Sequence, residues 1–362
     1  MRETVAAQVH VEKREKKKTP LETLSVVSER HGLPTLAERL TALQEWLNTE
    51  LSDLEEHIQA LCNEPKSDRA WSAAQYLLAQ KGKRIRPVCV MLAARMGGRE
   101  FDAAIRNVAM ACELVHSATL LHDDVLDLGD KRRDVPTARV IYGNSASVLG
   151  GDHLLIEALR RVFAAEPNLA PSLVEVIDDM VTAEALQLDA RDTFEPSKER
   201  YLDIVGGKTA VLFRWALEAG GQLGGLSSKA IENLANVGTY LGITFQMVDD
   251  ILDFKGASED TGKTALRDLK EGKITWPLLL AFERDQELRE TVKHCIEAGI
   301  TIDGELCERV AASVKATNAL TDTALEAKKY ADAALGALQT LPSGEAKHAL
   351  ETVIFTALER SK

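Results

Sequence analysis

Residues 101–127 read FDAAIRNVAMACELVHSATLLHDDVLD. Apolar side chains recur every three or four positions, and no proline or glycine interrupts the run. That is the period of one long helix with most of its circumference apolar. Residues 229–254, KAIENLANVGTYLGITFQMVDDILDF, keep the same period over a similar length. Two such helices must be buried against others. Alternating strands and Asn-Gly hairpin turns are missing from the sequence. Breaks fall at 63–68, 81–87, 128–137, 194–197, 256–262 and 341–344, where Gly, Pro, Asp and Ser cluster. They cut the chain into about ten helices joined by short connections. The expected fold is all-α, one large helical bundle with the two long helices at its centre.

Composition narrows the function. The formal net charge of −12, with no basic stripe, argues against a nucleic-acid partner. Cys62, Cys89, Cys112, Cys295 and Cys307 are scattered without metal spacing, which points to reduced thiols and a cytoplasmic setting. No apolar run is long enough to span a membrane. Residues 1–40 carry Lys13, Arg14, Lys16, Lys17 and Lys18 among acidic residues and lack a signal-peptide core. They are expected to be a charged, weakly ordered extension, with one helical domain over 41–362.

Both long helices end in the same pattern, Asp-Asp-x-x-Asp: Asp123, Asp124 and Asp127, then Asp249, Asp250 and Asp253. On a helix, positions i and i+4 share a face. At an effective dielectric near 20, two such charges repel by roughly 3 kcal/mol. In open solvent the cost is only a few tenths of a kcal/mol, so one motif alone reads as easily as a solvated edge. Two copies set among apolar residues call for cations, and hard carboxylate oxygens suit Mg²⁺ carrying substrate phosphates. Asp178 and Asp179 lack the third aspartate, with Thr182 in its place, and are expected at the surface. Phosphates need basic donors. Lys83, Arg84 and Arg86 in GKRIRP, Arg132 and Arg133 after the first motif, Lys208 and Thr209 in GGKTA, and Lys263 and Lys273 after the second motif supply them.

GKRIRP, HSATLLHDDVLD followed by the arginine pair, KTA, FQMVDDILD and the closing GK…D…EGK…P occur in that order. Over residues 70 to 285 the chain resembles the trans-polyprenyl diphosphate synthase family. The resemblance implies an isoprenoid synthase-like helical bundle around a deep apolar cavity. It also implies a prenyltransferase that joins isopentenyl diphosphate to an allylic diphosphate with roughly two or three Mg²⁺ ions. Carried over by motif, Asp123, Asp127 and Asp249 bind metal, and Asp124, Asp250 and Asp253 support them directly or through water. Arg132, Lys208, Thr209, Gln246 and Lys263 contact the allylic diphosphate. Lys83, Arg86, His116 and Arg133 hold isopentenyl diphosphate. The family also implies a homodimer, and release of a greasy product implies peripheral contact with a membrane. The chain departs from the family at Asp134 and Leu266, where glycine is usual.

Three rivals remain at this stage. A di-iron bundle would use Glu113-x-x-His116 and Glu345-x-x-His348 but leaves the aspartate motifs without a role. A class I terpene cyclase would lack GKRIRP and carry a different second motif. A non-catalytic synthase subunit would show eroded aspartates. Product length is read from Ala118 and Thr119, one turn before Asp123, where the family's short-chain members carry bulky aromatics. Both are small here, so the expected product exceeds C20. A C20 product is the alternative, with Phe163 as candidate floor.

Overall fold

The computed structural model describes residues 34–65, 68–80, 82–132, 135–255, 266–300, 302 and 304–360. Its first helices are α1 (Pro34–Trp46), α2 (Asn48–Cys62), α3 (Arg69–Leu78), α4 (Ile85–Met96) and α5 (Ala103–Leu126). Then come α6 (Ala138–Tyr142), α7 (Asn144–Ala165), α8 (Ala170–Asp192) and α9 (Lys198–Val205). A π-helical turn over Gly206–Ala210 leads into α10 (Val211–Leu223) and α11 (Ser228–Lys255). The remaining helices are α12 (Arg267–Lys270), α13 (Trp276–Arg284), α14 (Gln286–Glu297), α15 (Gly304–Ala316), α16 (Ala319–Gln339) and α17 (Glu345–Glu359). Among the described residues none of them is long and apolar enough to cross a membrane.

Four of the six sequence breaks fall between helices, 81–87 runs into the first turn of α4, and 256–262 lies outside the described residues; the helices described outnumber the expected ten or so. Gly143, Pro167 and the 317–318 turn divide segments whose apolar period runs on. The β-structure among the described residues is a two-residue ribbon, Lys131–Arg132 paired antiparallel with Val135–Pro136, inside the loop after the first motif. Starts are fixed by side-chain caps. Asp102 accepts from Ile105 N at 2.9 Å to open α5, and Asp68 accepts from Trp71 N at 2.7 Å to open α3. The packed domain reaches back to Pro34, before the boundary expected at residue 40. Leu36, Ala37 and Leu40 of α1 are buried. Residues 1–33 lie outside the described residues.

Two apolar clusters share α11. Its Leu234, Val237 and Leu241 join the larger cluster built on α1–α8, α10 and α17. Its Ile243, Met247, Val248 and Phe254 join a second one with Tyr201, Trp276, Leu279 and Val310. The second aspartate motif therefore sits where the two clusters meet. Gly238 and Gly242 allow α11 to lie directly on its neighbours. A Cβ at these positions would stand 2.6 Å from Arg214 Cα and 2.4 Å from Ala210 Cα. That close approach brings the π turn, with Lys208 and Thr209, up to Gln246 of α11.

Candidate active site

The first motif closes α5, where the chain turns away and its carboxylates meet cations from distant helices. Asp123 lies 3.6 Å from Lys208 Nζ. Burial pushes its carboxyl up, and Lys208 opposes this only in part. Asp127 accepts from Lys273 Nζ at 2.8 Å and from Arg191 Nη2. Burial pushes Asp127 up as well, but Lys273 and Arg191 outweigh it and hold the carboxyl below its usual value. Asp124 is fully buried and takes the Arg132 guanidinium through Nη2 at 2.9 Å and Nε at 3.1 Å. Lys208 also donates to Glu184 and, at 2.9 Å, to Gln187 Oε1, both on α8.

The second motif ends α11 and has mostly neutral partners. Asp250 is fully buried. It accepts from Tyr201 Oη at 2.6 Å and Gln246 Nε2 at 2.9 Å. Burial still pushes it up to about 6. Asp253 accepts two backbone N–H groups, Arg267 at 3.2 Å and Asp268 at 3.3 Å, and burial raises it too. Asp268 is pushed up to about 7, by burial first and then by Asp253 and Asp250. Asp249 faces a cavity and pairs with Arg360 at the end of α17.

In GKRIRP the middle arginine is structural. Arg84 sits at φ 51°, in the left-handed region, with its guanidinium buried between Glu55 Oε1 (2.6 Å) and Glu113. Burial disfavours its charge, but the two carboxylates outweigh that and raise its pKa. The bridge pins the turn, so Lys83 and Arg86 on either side face the cavity. Arg86 lies 4.5 Å over the Phe213 ring.

That cavity, of about 880 Å³, gathers most of the residues picked from sequence. Lys83, Arg86, His116, Thr119, Asp123, Arg132, Lys208, Thr209, Gln246 and Asp249 all border it. Lys208, Thr209 and Gln246 also border a smaller pocket of about 130 Å³ with Asp250, Asp268 and Lys273. Asp124, Asp127 and Asp253 border neither, being held by Arg132, by Lys273 and Arg191, and by backbone N–H groups. Arg133 and Lys263 lie outside the described residues.

Ala118 is a correction. It is fully buried and does not line the cavity, while Thr119 does. Successive helical residues point about 100° apart, and the cavity meets the side of α5 that carries Thr119 and Leu120, not Ala118. The cavity stripe of α5 is Glu113, His116, Thr119, Leu120 and Asp123, and the Ala111–Val115–Ala118 stripe packs in the core. Phe163 is exposed on α7 and forms no floor. Asp178 and Asp179 are exposed, as expected.

Sequence reasoning missed Glu184, Gln187 and Arg191 of α8, Tyr201 of α9 and Arg360. Only the run of polar residues at helical spacing in EALQLDAR hinted at the first three, and nothing marked Arg360 or Tyr201. Among the described residues no three His, Cys, Asp or Glu groups come together as a metal cage. Glu113 is engaged by Arg84, and Glu345 and His348 are exposed, so the di-iron reading fails. Mg²⁺ asks for less, joining one or two carboxylates to substrate phosphates and water. Asp123, with its charge only partly compensated, and Asp249 fit that demand across a cavity rimmed by Lys and Arg.

The comparisons with known proteins agree with this geometry. The sequence profile of the Polyprenyl synthetase family matches residues 68–312. Octaprenyl diphosphate synthase of Escherichia coli (strain K12) is 36% identical over 290 residues, 79% of this chain and 88% of its own length. The crystal structure of a decaprenyl diphosphate synthase from Rhodobacter capsulatus superposes with a TM-score of 0.82 at 32% identity, covering 89% of this chain and 99% of that one. A polyprenyl synthase from Caulobacter crescentus, solved with calcium and isoprenyl diphosphate, gives 0.80 at 33%, covering 88% and 97%. With this profile match and these relatives, and with Asp123 of one motif and Asp249 of the other facing one cavity inside the bundle, the chain belongs to the polyprenyl synthetase family.

Proposed function

We propose that this chain is a long-chain trans-polyprenyl diphosphate synthase, adding isopentenyl diphosphate to an allylic diphosphate to give a product longer than C20. The observation that carries the reading is the single cavity bordered by both Asp123 and Asp249 together with Lys83, Arg86, His116, Lys208 and Gln246. Asp123, Asp127 and Asp249 would hold Mg²⁺, with Asp124, Asp250 and Asp253 fixing their helix ends. Mg²⁺ supplies charge neutralisation for the allylic diphosphate as it leaves. The Caulobacter protein was solved in complex with calcium and isoprenyl diphosphate, which supports a divalent ion and a prenyl diphosphate as ligands of this fold.

The chain's own residues do the rest. Lys208, Thr209, Gln246 and Arg132, with Lys263, hold the allylic diphosphate and take up charge as its C–O bond breaks. Lys83, Arg86, His116 and Arg133 hold the isopentenyl diphosphate, whose double bond attacks the allylic carbon; the condensed chain then loses a proton to the departed diphosphate, which leaves a new allylic double bond. Phe213, Phe245, Leu120 and Met180 line the same cavity and keep water from the allylic cation.

The relatives' octaprenyl and decaprenyl names support a long product. So does the absence of a bulky residue at Thr119 on the cavity wall. Incubation with labelled isopentenyl diphosphate and allylic primers of several lengths, followed by product sizing, tests this. Products beyond C20 are expected, and Thr119→Phe should shorten them. A wild-type product stopping at C20 overturns the length, and no incorporation overturns the enzyme. The five cysteines, none of them in a disulfide, support a reducing, cytoplasmic setting.

A second copy of the chain is the proposed partner of an exposed apolar stripe. Leu149, Ile156 and Phe163 on α7 and Val174 and Val181 on α8 recur every seven residues and are exposed. That spacing is the seam of paired helices. Light scattering should give a dimer that Phe163→Glu dissociates.

A further inference from the structure

The fold places Arg360 where an added cation belongs. The end of α17 meets the start of α4 and the motif end of α11 at the cavity. There the Arg360 guanidinium pairs with Asp249 and lies 4.3 Å over the Phe245 ring. Phe245 and Phe213 are neighbours, with ring centroids 5.6 Å apart, and Arg86 lies 4.5 Å over Phe213. Two guanidiniums thus flank one aromatic pair. Arg86 is read as a diphosphate ligand, and Arg360 is held on a carboxylate read as a metal ligand. Asp249 has no other cation on it within the salt-bridge network of the described residues. Arg360 Nη1 and Arg86 Nε are both buried without a hydrogen-bond partner among the described residues. A buried guanidinium N–H left unpaired is costly, which favours a shift of either side chain toward an anion bound in the cavity.

We propose that Arg360 is a built-in counter-ion for Asp249. A divalent cation displaces it, and the freed guanidinium then joins Lys83 and Arg86 on isopentenyl diphosphate. The proposal rests on the site reading above and adds an order to it. In the substrate-free protein Arg360 and the metal compete for one carboxylate. Loading the metal therefore completes the isopentenyl diphosphate site, and binding of that diphosphate in turn favours the metal, because linkage is reciprocal. Arg360 is a positioning residue for Asp249 before loading and a ligand afterwards. The ring of Phe245 gives the guanidinium an apolar face to slide along, since cation–π contact tolerates a range of positions.

The test uses Mn²⁺ as the probe, with binding to the substrate-free full chain followed by the electron paramagnetic resonance of the free ion. Arg360→Gln should bind Mn²⁺ about tenfold more tightly than wild type, since one hydrogen-bonded charge pair no longer competes. The same variant should raise KM for isopentenyl diphosphate by about tenfold and leave KM for the allylic primer unchanged. Arg360→Lys should restore most of the wild-type Mn²⁺ affinity, because it keeps the charge. A residue that merely props the fold would weaken metal and both substrates together, so the opposite signs identify the exchange. Mn²⁺ affinity that is unchanged or weaker in folded Arg360→Gln overturns the proposal. Asp249→Asn separates this from failure of the site itself. If it binds Mn²⁺ in the presence of inorganic pyrophosphate as wild type does, Asp249 is no metal ligand and both readings fall. If it loses affinity while Arg360→Gln matches wild type, only the exchange falls.

Discussion

The motifs at Asp123–Asp127 and Asp249–Asp253 share their spacing and their place at a helix end, but not their company. On α5 the partners are cations: Lys208 beside Asp123, Arg132 on Asp124, Lys273 and Arg191 on Asp127. On α11 they are a phenol, an amide and backbone N–H groups, with Arg360 the one cation paired with the motif among the described residues. The consequence is opposite charge balance. The first motif is held ionised at Asp127, whereas burial at the second lifts Asp250 to about 6 and its neighbour Asp268 to about 7. Among the described residues, identical patterns thus build one wall compensated at Asp124 and Asp127 but only in part at Asp123, and another whose one paired cation is Arg360. The second motif, in this reading, depends more on what is loaded into the cavity.

The largest effect expected is on rate, and there the two motifs should be alike. Asp123→Ala and Asp249→Ala should each lower kcat by at least the ~10²–10³-fold typical of losing one preorganised electrostatic group, and EDTA should abolish turnover. Initial rates of isopentenyl incorporation decide this. Full turnover by either variant would break the pairing of the motifs.

Stability should separate them. Arg132→Ala leaves Asp124 buried and unpaired, which typically costs about 3–5 kcal/mol. Urea unfolding should show a large fall in midpoint. An unchanged midpoint would mean that Asp124 relaxes to water and the first motif is less buried than its geometry shows.

The pH response should differ in sign. Asp250 has a folded pKa above the 3.8 of an ordinary aspartate, so the native state holds its proton longer than the unfolded chain. Stability from this group therefore declines as pH rises from about 4 through about 6, and for Asp268 through about 7, by roughly 3 kcal/mol for a two-unit shift. Asp127, held below 3.8, adds stability at neutral pH that is lost as pH falls through its depressed pKa. In EDTA, Asp268→Asn should flatten the unfolding midpoint between pH 5 and 7, and Asp127→Asn should not. Equal flattening by both would end the contrast.

The smallest effect concerns the loop behind the second motif. Leu266 stands at φ 57° with its side chain buried. Leu266→Gly removes strain of about 1–2 kcal/mol but also about 1.5–3 kcal/mol of side-chain burial. The net change should lie between a gain of about 0.5 and a loss of about 2 kcal/mol, read from thermal unfolding. A large gain would show that the buried side chain contributes nothing and that strain rules this loop.

Helical class, four of the six breaks, both motifs and most of the cavity residues were legible in the chain itself, because they rest on local quantities. The 3.6-residue period, caps such as Asp102 and Gly/Pro punctuation act within a few residues. Charge at i and i+4 on an apolar helix is likewise a local anomaly. What only the tertiary structure decided is which partner each aspartate receives and which face of α5 meets the cavity. Arg191, Tyr201, Lys273 and Arg360 reach the motifs from 49 to 146 positions away in sequence. Ala118 and Thr119 looked equivalent, yet one is core and the other lines the cavity, since a rotation of about 100° is settled by the neighbouring helices. Arg84 carries the same charge as Lys83 and Arg86, but burial between Glu55 and Glu113 makes it the strut that aims them. Local spacing names the groups able to do chemistry, and long-range packing sets their charge and direction.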